Sequence, residues 1–480
     1  MSPLRSRAGR GPAFTVAVLA LATCLVPCWP ARPAGAQDQR PRVEVPSSID
    51  ATGRRDVTDE LDAFFADVPD GAIVDFPEGG RYRAEGTVDI ESKARLTVRG
   101  NGSTIFARSR GDLRRVHVAI TRGRDLRIER LNVEGAHPTP GLGDDGYQPD
   151  YEGQHGFAIK GTDGIELDAV QVSDVYGDFV YLGRPDDGGD WARRVWIHDS
   201  LFVRNGRQGI AITAARGVVI ERNGIAQVAR STFDLEPNGP SGGAIDVQIL
   251  NNQVGPGRLL FLAAAGLGPV GAVVVEGNVL TGRAMTVTIL PPDGDRRDRF
   301  WIVGNNASVV ARNTPIRVTR VDGLVVWRNR QPLETGGLGV ETKDVCGLIV
   351  AENDFGPFTT GARPPEEVCG PTLGPVPPEP PEVFGRATGP EPEPQLPAAT
   401  TTTTEAPPPE ITSVSGEQQN WAITIALGVI AAAMVIAALV FRSRRAEPTP
   451  PPPAVGDPAA PGPPPPGPPP PADEPPTPGR

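Results

Sequence analysis

Six short segments share one pattern of apolar and polar positions: VIERN (219–223), ILNN (249–252), VVEGN (274–278), IVGNN (302–306), VVWRN (325–329) and IVAEN (349–353). In each, an aliphatic residue (Ile220, Ile249, Val275, Val303, Val326, Val350) is followed three positions later by Asn223, Asn252, Asn278, Asn306, Asn329 or Asn353. The asparagines recur at intervals of 23 to 29 residues, and Ser200, three after Ile197, extends the column upstream. A preference of Asn for turns does not explain one offset repeated six times. The pattern predicts a solenoid in which each repeat is one coil. A short strand ends in a sharp bend, where Asn tolerates the left-handed region. Stacked at about 4.8 Å, successive amides hydrogen-bond along the column.

A second register lies on another face. The segments His155-GFAIKG, Asp178-FVYLG, Gln208-GIAIT and Ser231-TFDLE begin 23, 30 and 23 residues apart, the 30 reducing to 23 if residues 184–193 contain a seven-residue insertion. Phe157, Val180, Ile210 and Phe233 then point inward, as do Ile159, Leu182, Ile212 and Leu235. Alternation within strands and a repeat of about two dozen residues between them predict an all-β fold, a right-handed parallel β-helix. Earlier coils read at LTVRGN (96–101) and LRIERL (126–131). Residues 57–66 read as a helix with Asp56 as N-cap and Leu61, Phe64 and Phe65 on its apolar side, an N-terminal cap for the open end of the coil. DGAIVDFPEGGRY (70–82) reads strand, turn, strand.

The stretch SIDATGRRDVTDELDAFFADVPDGAIVDFPEGGRY resembles the N-terminal signature of the pectate lyase-like superfamily, through Gly53, Gly71, Val74, Phe76, Pro77, Gly79 and Tyr82. The resemblance spans about residues 44–370 and implies the right-handed parallel β-helix. That fold carries lyases, hydrolases, epimerases, phage depolymerases and non-catalytic adhesins. The N-T-D, D-D, G-H-G and R-I-K set of polygalacturonases is absent, as is the Asp-rich calcium cluster with a catalytic Arg of pectate lyases.

The ends of the chain carry addresses. Arg5, Arg7 and Arg10 precede an apolar run at 13–26 and the cleavage site Ala34-Gly35-Ala36, so residues 1–36 read as a signal peptide, with lipidation at Cys24 the weaker alternative. Trp421 to Phe441 is 21 residues without a charge, followed by Arg442, Arg444 and Arg445. At 1.5 Å per residue it spans about 31 Å, one hydrocarbon core, and the arginines place the N-terminal bulk outside. The expected organisation is therefore an extracellular domain (37–370), a Pro/Thr-rich stalk (371–420), a transmembrane helix (421–441) and a Pro-rich cytoplasmic tail (442–480). Cys346 and Cys369 are left on the oxidising side and read as one disulfide, against the alternative of two unpaired thiols.

A net charge of −11 and 5% aromatic residues argue against nucleic acid as a partner. No phosphate-loop, H-E-x-x-H or C-x-x-C motif is present, so no cofactor is expected. Asp144, Asp145, Asp150, Asp186, Asp187 and Asp190 sit in two loops with carboxylates enough for Ca²⁺ but no fixed ligand spacing.

Candidate chemistry follows from the register. Ala158, Tyr181, Ala211 and Asp234 form one outward column, and Lys160, Gly183, Thr213 and Glu236 the next. His155, Asp178, Gln208 and Ser231 line the strand entrances. Asp234 and Glu236, two apart on one strand, face outward about 6.6–6.8 Å apart at the backbone, as an acid/base pair requires. Lys160 and Arg207 would neutralise a uronic acid, and Tyr147, Tyr151 and Trp191, in loops 135–154 and 184–193, would stack on sugar rings beside a third loop, 237–242. The solvated strand-end reading of the two carboxylates stands beside the catalytic one. Two functions are expected: a membrane-tethered protein that binds a polysaccharide and acts on it as a lyase or glycoside hydrolase, or a non-catalytic, adhesin-like surface protein.

Overall fold

The computed structural model describes residues 40–361. Signal peptide, stalk, membrane span, tail and Cys369 all lie outside the described residues. No helix among the described residues is long and apolar enough to cross a membrane.

The chain winds as a right-handed parallel β-solenoid of about eleven turns. Each coil lays down a strand on a first face, turns tightly into a short strand on a second face, and then adds a strand on a third. One coil runs Asp163–Asp168, Gln171–Val175, Val180–Gly183, and the next Ala192–His198, Leu201–Asn205, Ile210–Ile212. Every strand pairs in parallel with its counterpart one coil away, so all edges but the terminal ones are satisfied. On the third face Phe157 aligns with Val180, Val180 with Ile210 and Ile210 with Phe233, and the column continues through Leu262, Val287, Ile316 and Val340. These side chains and their first-face equivalents fill one continuous apolar core.

The stacked asparagines close the turn between the first and second faces. The Oδ1 of each accepts both the backbone N–H and an Nδ2–H of the asparagine one coil earlier, at 2.8 to 3.0 Å. The file runs Asn223, Asn252, Asn278, Asn305, Asn329, Asn353, so Asn305 and not Asn306 holds the place in the fourth coil. Asn306 instead opens the exposed start of a second-face strand. The inward aliphatic of that coil is Ile302, while Val303 faces out. Ser200 heads the file, its N–H donating to Asn223 Oδ1 at 3.0 Å and its hydroxyl accepting from Val170 N–H. The left-handed residue of each turn is the one before the asparagine: Asp199, Arg222, Asn251, Gly277, Gly304, Arg328 and Glu352 all have φ between 51° and 66°. Asparagine is therefore selected here for its amide and not for its backbone.

The helix α1 (Thr58–Asp67) occupies the place of a third-face strand in the first coil. Its N-cap is Val57, and Asp56 acts one residue earlier, accepting the N–H and hydroxyl of Thr58 at 3.1 and 2.7 Å. Leu61 and Phe65 enter the core and Phe64 packs partly against it. The strand beside it, Val88–Glu91, would leave a free edge. Asp62 accepts the Asp89 N–H at 2.8 Å, and Lys93 donates to the last carbonyls, Ala66 and Val68.

Candidate functional site

The third face forms a floor between two walls. Ala158, Tyr181, Ala211 and Asp234 align outward in one column. Tyr181 does not stand up into the groove. Its ring lies over the residue-183 backbone, where a Cβ would come within 2.6 Å of the ring, so only glycine fits. It stacks on His155 at 4.8 Å with 9° between planes, and its hydroxyl accepts from Thr213 at 2.8 Å.

The entrance column is a second hydrogen-bonded ladder. His155 Nδ1 accepts the Asp178 N–H (3.1 Å), Asp178 Oδ1 the Gln208 N–H (2.9 Å), and Gln208 Oε1 the Ser231 N–H (2.7 Å). All four are buried. Burial, with the Arg207 and Lys160 charges, holds His155 well below its ordinary pKa, so the ring is neutral and its 3.3 Å approach to Asp178 Oδ2 is no ion pair. Burial pushes the Asp178 carboxyl up to about 6 against the pull of Arg207, whose Nη1 lies 2.9 Å from Oδ2. Asp178, and behind it Glu152 at 3.2 Å, raise the Arg207 guanidinium above its usual value.

Next along the floor stand the two carboxyls. Asp234 is 3% exposed and Glu236 is half-buried. Burial, and then the Glu236 carboxylate, hold the Asp234 carboxyl well above the usual carboxylate range, outweighing Arg207. The two carboxyls are near enough to repel each other's charge. Asp234 therefore holds its proton to higher pH than an ordinary aspartic acid does, beside Glu236, the more accessible member. Two carboxyls coupled in this way titrate together as one dyad.

The walls are self-braced. On the exit side Trp191 donates its indole N–H to Ser241 O at 2.8 Å, tying loop 184–193 to loop 237–242, and its ring covers Gly243. On the entrance side Tyr147 donates to Glu152 Oε2 at 2.8 Å beneath the Arg230 guanidinium, and Tyr151 packs on Tyr176. The three aromatic rings are thus engaged with protein. Lys160 is paired with Asp186 at 3.0 Å, and Asp187 pairs with Arg122. Asp190 lies 4.0 Å from Arg193, and Asp144 is 2.8 Å from Arg258. Four of the six loop aspartates therefore have cationic partners of their own, in separate places, which does not build a Ca²⁺ site.

One cluster escapes the motif search. On the first face His198 Nδ1 meets Asp199 Oδ2 at 2.6 Å and Nε2 meets Glu166 Oε1 at 3.0 Å, with Asp168 at 3.7 Å and Trp196 stacked at 3.9 Å. Burial alone would lower this imidazole, but the hydrogen bonds from Asp199 and Glu166 lift it to about 9. Glu166, Asp168 and His198 are close enough to share a metal, yet Arg127 reaches both carboxylates and both ring nitrogens are already engaged. The group is a salt-bridge network. Its signal in the sequence was the coil register, which aligns Asp168 with His198.

No family model matches the chain, and no curated protein matches by sequence. Among solved structures, a mutant of the DFA-IIIase from Arthrobacter chlorophenolicus A6 in complex with DFA-III is similar at 12% identity and a TM-score of 0.45, over 66% of this chain and 84% of that one. The Streptococcus pneumoniae surface protein and adhesin PfbA is similar at 14% identity and 0.41, over 67% and 97%. The catalytic unit of the thermostable GH87 α-1,3-glucanase from Streptomyces thermodiastaticus strain HF3-3 is similar at 18% and 0.38, over 69% and 68%. These neighbours include polysaccharide-active enzymes and an adhesin, and the likeness is one of fold alone. The class defined is the right-handed parallel β-helix.

Proposed function

We propose that the third face receives a polysaccharide between the 135–154 wall and the paired 184–193 and 237–242 loops, and that Glu236, backed by the proton on Asp234, performs acid–base chemistry on it. The observation that carries this reading is the carboxyl pair itself. Asp234 is buried on the outward side of a strand, where the core has no need of it, with its carboxyl held well above the ordinary range, and groups held far from their ordinary pKa mark sites of proton transfer. The reaction class is lyase or glycoside hydrolase. A second reading, a glycan-binding surface protein without turnover, is favoured by the engagement of Lys160, Asp178, Arg207 and Gln208 with protein partners.

The purified full chain, assayed for reducing-end release and on a glycan array, separates the two. The first reading expects turnover that falls about 10²–10⁴-fold in Asp234→Asn and in Glu236→Gln, with binding retained. Binding without turnover in the parent establishes the second, and absence of both overturns the two together. We further propose that the solenoid stands outside the cell on the 371–420 stalk, held by Trp421–Phe441, an arrangement supported by the charge asymmetry of that segment. A solenoid that resists protease on intact cells and is digested only after lysis would overturn it.

A further inference from the structure

The first face carries an apolar stripe on its outer side. The register aligns Trp196, Val219, Gln248, Val274, Trp301 and Val325, all pointing away from the core filled by Ile220, Ile249 and Val326. With Leu250 and Val303 beside it, the stripe forms a cluster of its own, and every member of that cluster comes from the face itself. Yet Val325 is 0% and Trp301 3% exposed. Among the described residues, none from outside this face joins the cluster. The Trp301 indole N–H and the Gln248 Oε1 are buried there without hydrogen-bond partners. A cover with free backbone groups would suit both.

We propose that residues 371–386 of the chain itself strap this stripe, as an extended proline-rich segment lying along Trp301. The exit of the chain supports this occupant. The last strand, Phe358–Thr360, pairs on the third face, and Gly361 N–H donates to Thr342 O. In every earlier coil the next residues run to the first face. Cys346, at the start of the last first-face strand, is disulfide-bonded, and Cys369 lies eight residues beyond Gly361, so the expected Cys346–Cys369 bond would moor the segment at the stripe's end. Trp196 to Val325 spans five coil steps, about 24 Å. Polyproline II covers that in about eight residues at 3.1 Å each, and PTLGPVPPEPPEVF (371–384) has fourteen, with Leu373, Val376, Val383 and Phe384 as apolar contacts. Such a helix makes no internal hydrogen bonds and docks on aromatic surfaces, its free carbonyls accepting from an indole N–H.

The test uses the full chain with a photoreactive phenylalanine in place of half-buried Trp327, beside the stripe, and maps cross-links by mass spectrometry. The expected product joins that position to a peptide within 371–386 of the same chain. Cross-links to a second copy, to 421–441, or to no peptide would overturn the proposal. A second measurement guards against a failed variant: Leu373, Val376, Val383 and Phe384 are changed together to Ser, which leaves the coils untouched. Tryptophan emission should shift to the red and become more open to acrylamide, with the strand circular dichroism retained. Unchanged emission would equally refute the strap.

Discussion

On the first face the charged groups are matched. His198 is protonated among Glu166, Asp168 and Asp199, Arg222 lies 2.7 Å from Asp199 and 2.8 Å from Glu221, and the turn below is closed by neutral asparagines. On the third face they are not. The entrance ladder repeats the asparagine device with His155, Asp178 and Gln208, one of them an acid that needs Arg207, and the next carboxyl, Asp234, is pushed above its ordinary range by burial and then by the Glu236 carboxylate. The same backbone N–H can be capped by a neutral amide or by a carboxylate. The amide needs no counter-charge and can be stacked without limit. Where the coil uses titratable groups instead, without balancing them, it gives up stability that the amide ladder keeps.

Four substitutions sharpen that contrast, in falling order of effect. Asn278→Leu orphans the Asn252 N–H and Nδ2 inside the turn and should lower unfolding free energy by about 4 kcal/mol in urea titration, at every pH. A cost under about 1 kcal/mol would show the ladder to be ornamental. Arg207→Gln strips the buried Asp178 of its main cation and should cost about 3 kcal/mol at pH 8. The loss should shrink below pH 6, where Asp178 takes up a proton. His198→Gln should cost about 2 kcal/mol at pH 6. The folded pKa of His198, about 9, lies above the unfolded value, so its contribution is complete below about 6.5 and vanishes as pH rises through 9. Parent and variant curves that stay parallel across that window would remove the imidazolium from the account. Asp234→Asn should give a small gain at pH 7. A carboxyl whose folded pKa is raised weakens the fold as pH climbs above about 4, because only the unfolded chain releases the proton. The amide keeps a donor toward Glu236 without that penalty. A variant more stable yet inactive would mark Asp234 as functional, whereas a clear loss of stability would make it structural.

The register from Phe157 to Leu235 was legible to the residue, because inward alternation and a near-constant coil length over-determine it. The slip at Asn305 has a local cause. The sequence Val303-Gly304-Asn305-Asn306 offers two adjacent asparagines, and only the burial of Ile302 decides between them. The turn chemistry was misassigned because the left-handed residue and the amide-bearing residue are neighbours, and asparagine is suited to both duties. Asp234 and Glu236 were visible as an outward pair, but the raised pKa of Asp234 depends on its burial, which the alternation of its own strand does not reveal. The first-face stripe had a signal that period-two reading discards. VVVE, WIV and VVW are runs without alternation, as expected of strands covered on both sides.

The last coils differ from the rest in having no corner. Ile316–Trp327 and Val340–Ala351 each run unbroken for 12 residues from the third face onto the first, bent at Arg320 and Gly323 and at Asp344 and Gly347, all with positive φ. Upstream, the same junction is an interruption, and there the chain carries its extra loops at 184–193 and 237–242. A continuous, paired strand has nowhere to host an added segment without breaking the ten rungs that tie it to its neighbour. Lengthened loops at this junction, residues 290–296 included, all precede the last two described coils, and grafted peptides should be accepted at residues 187–189 and rejected at 319–321.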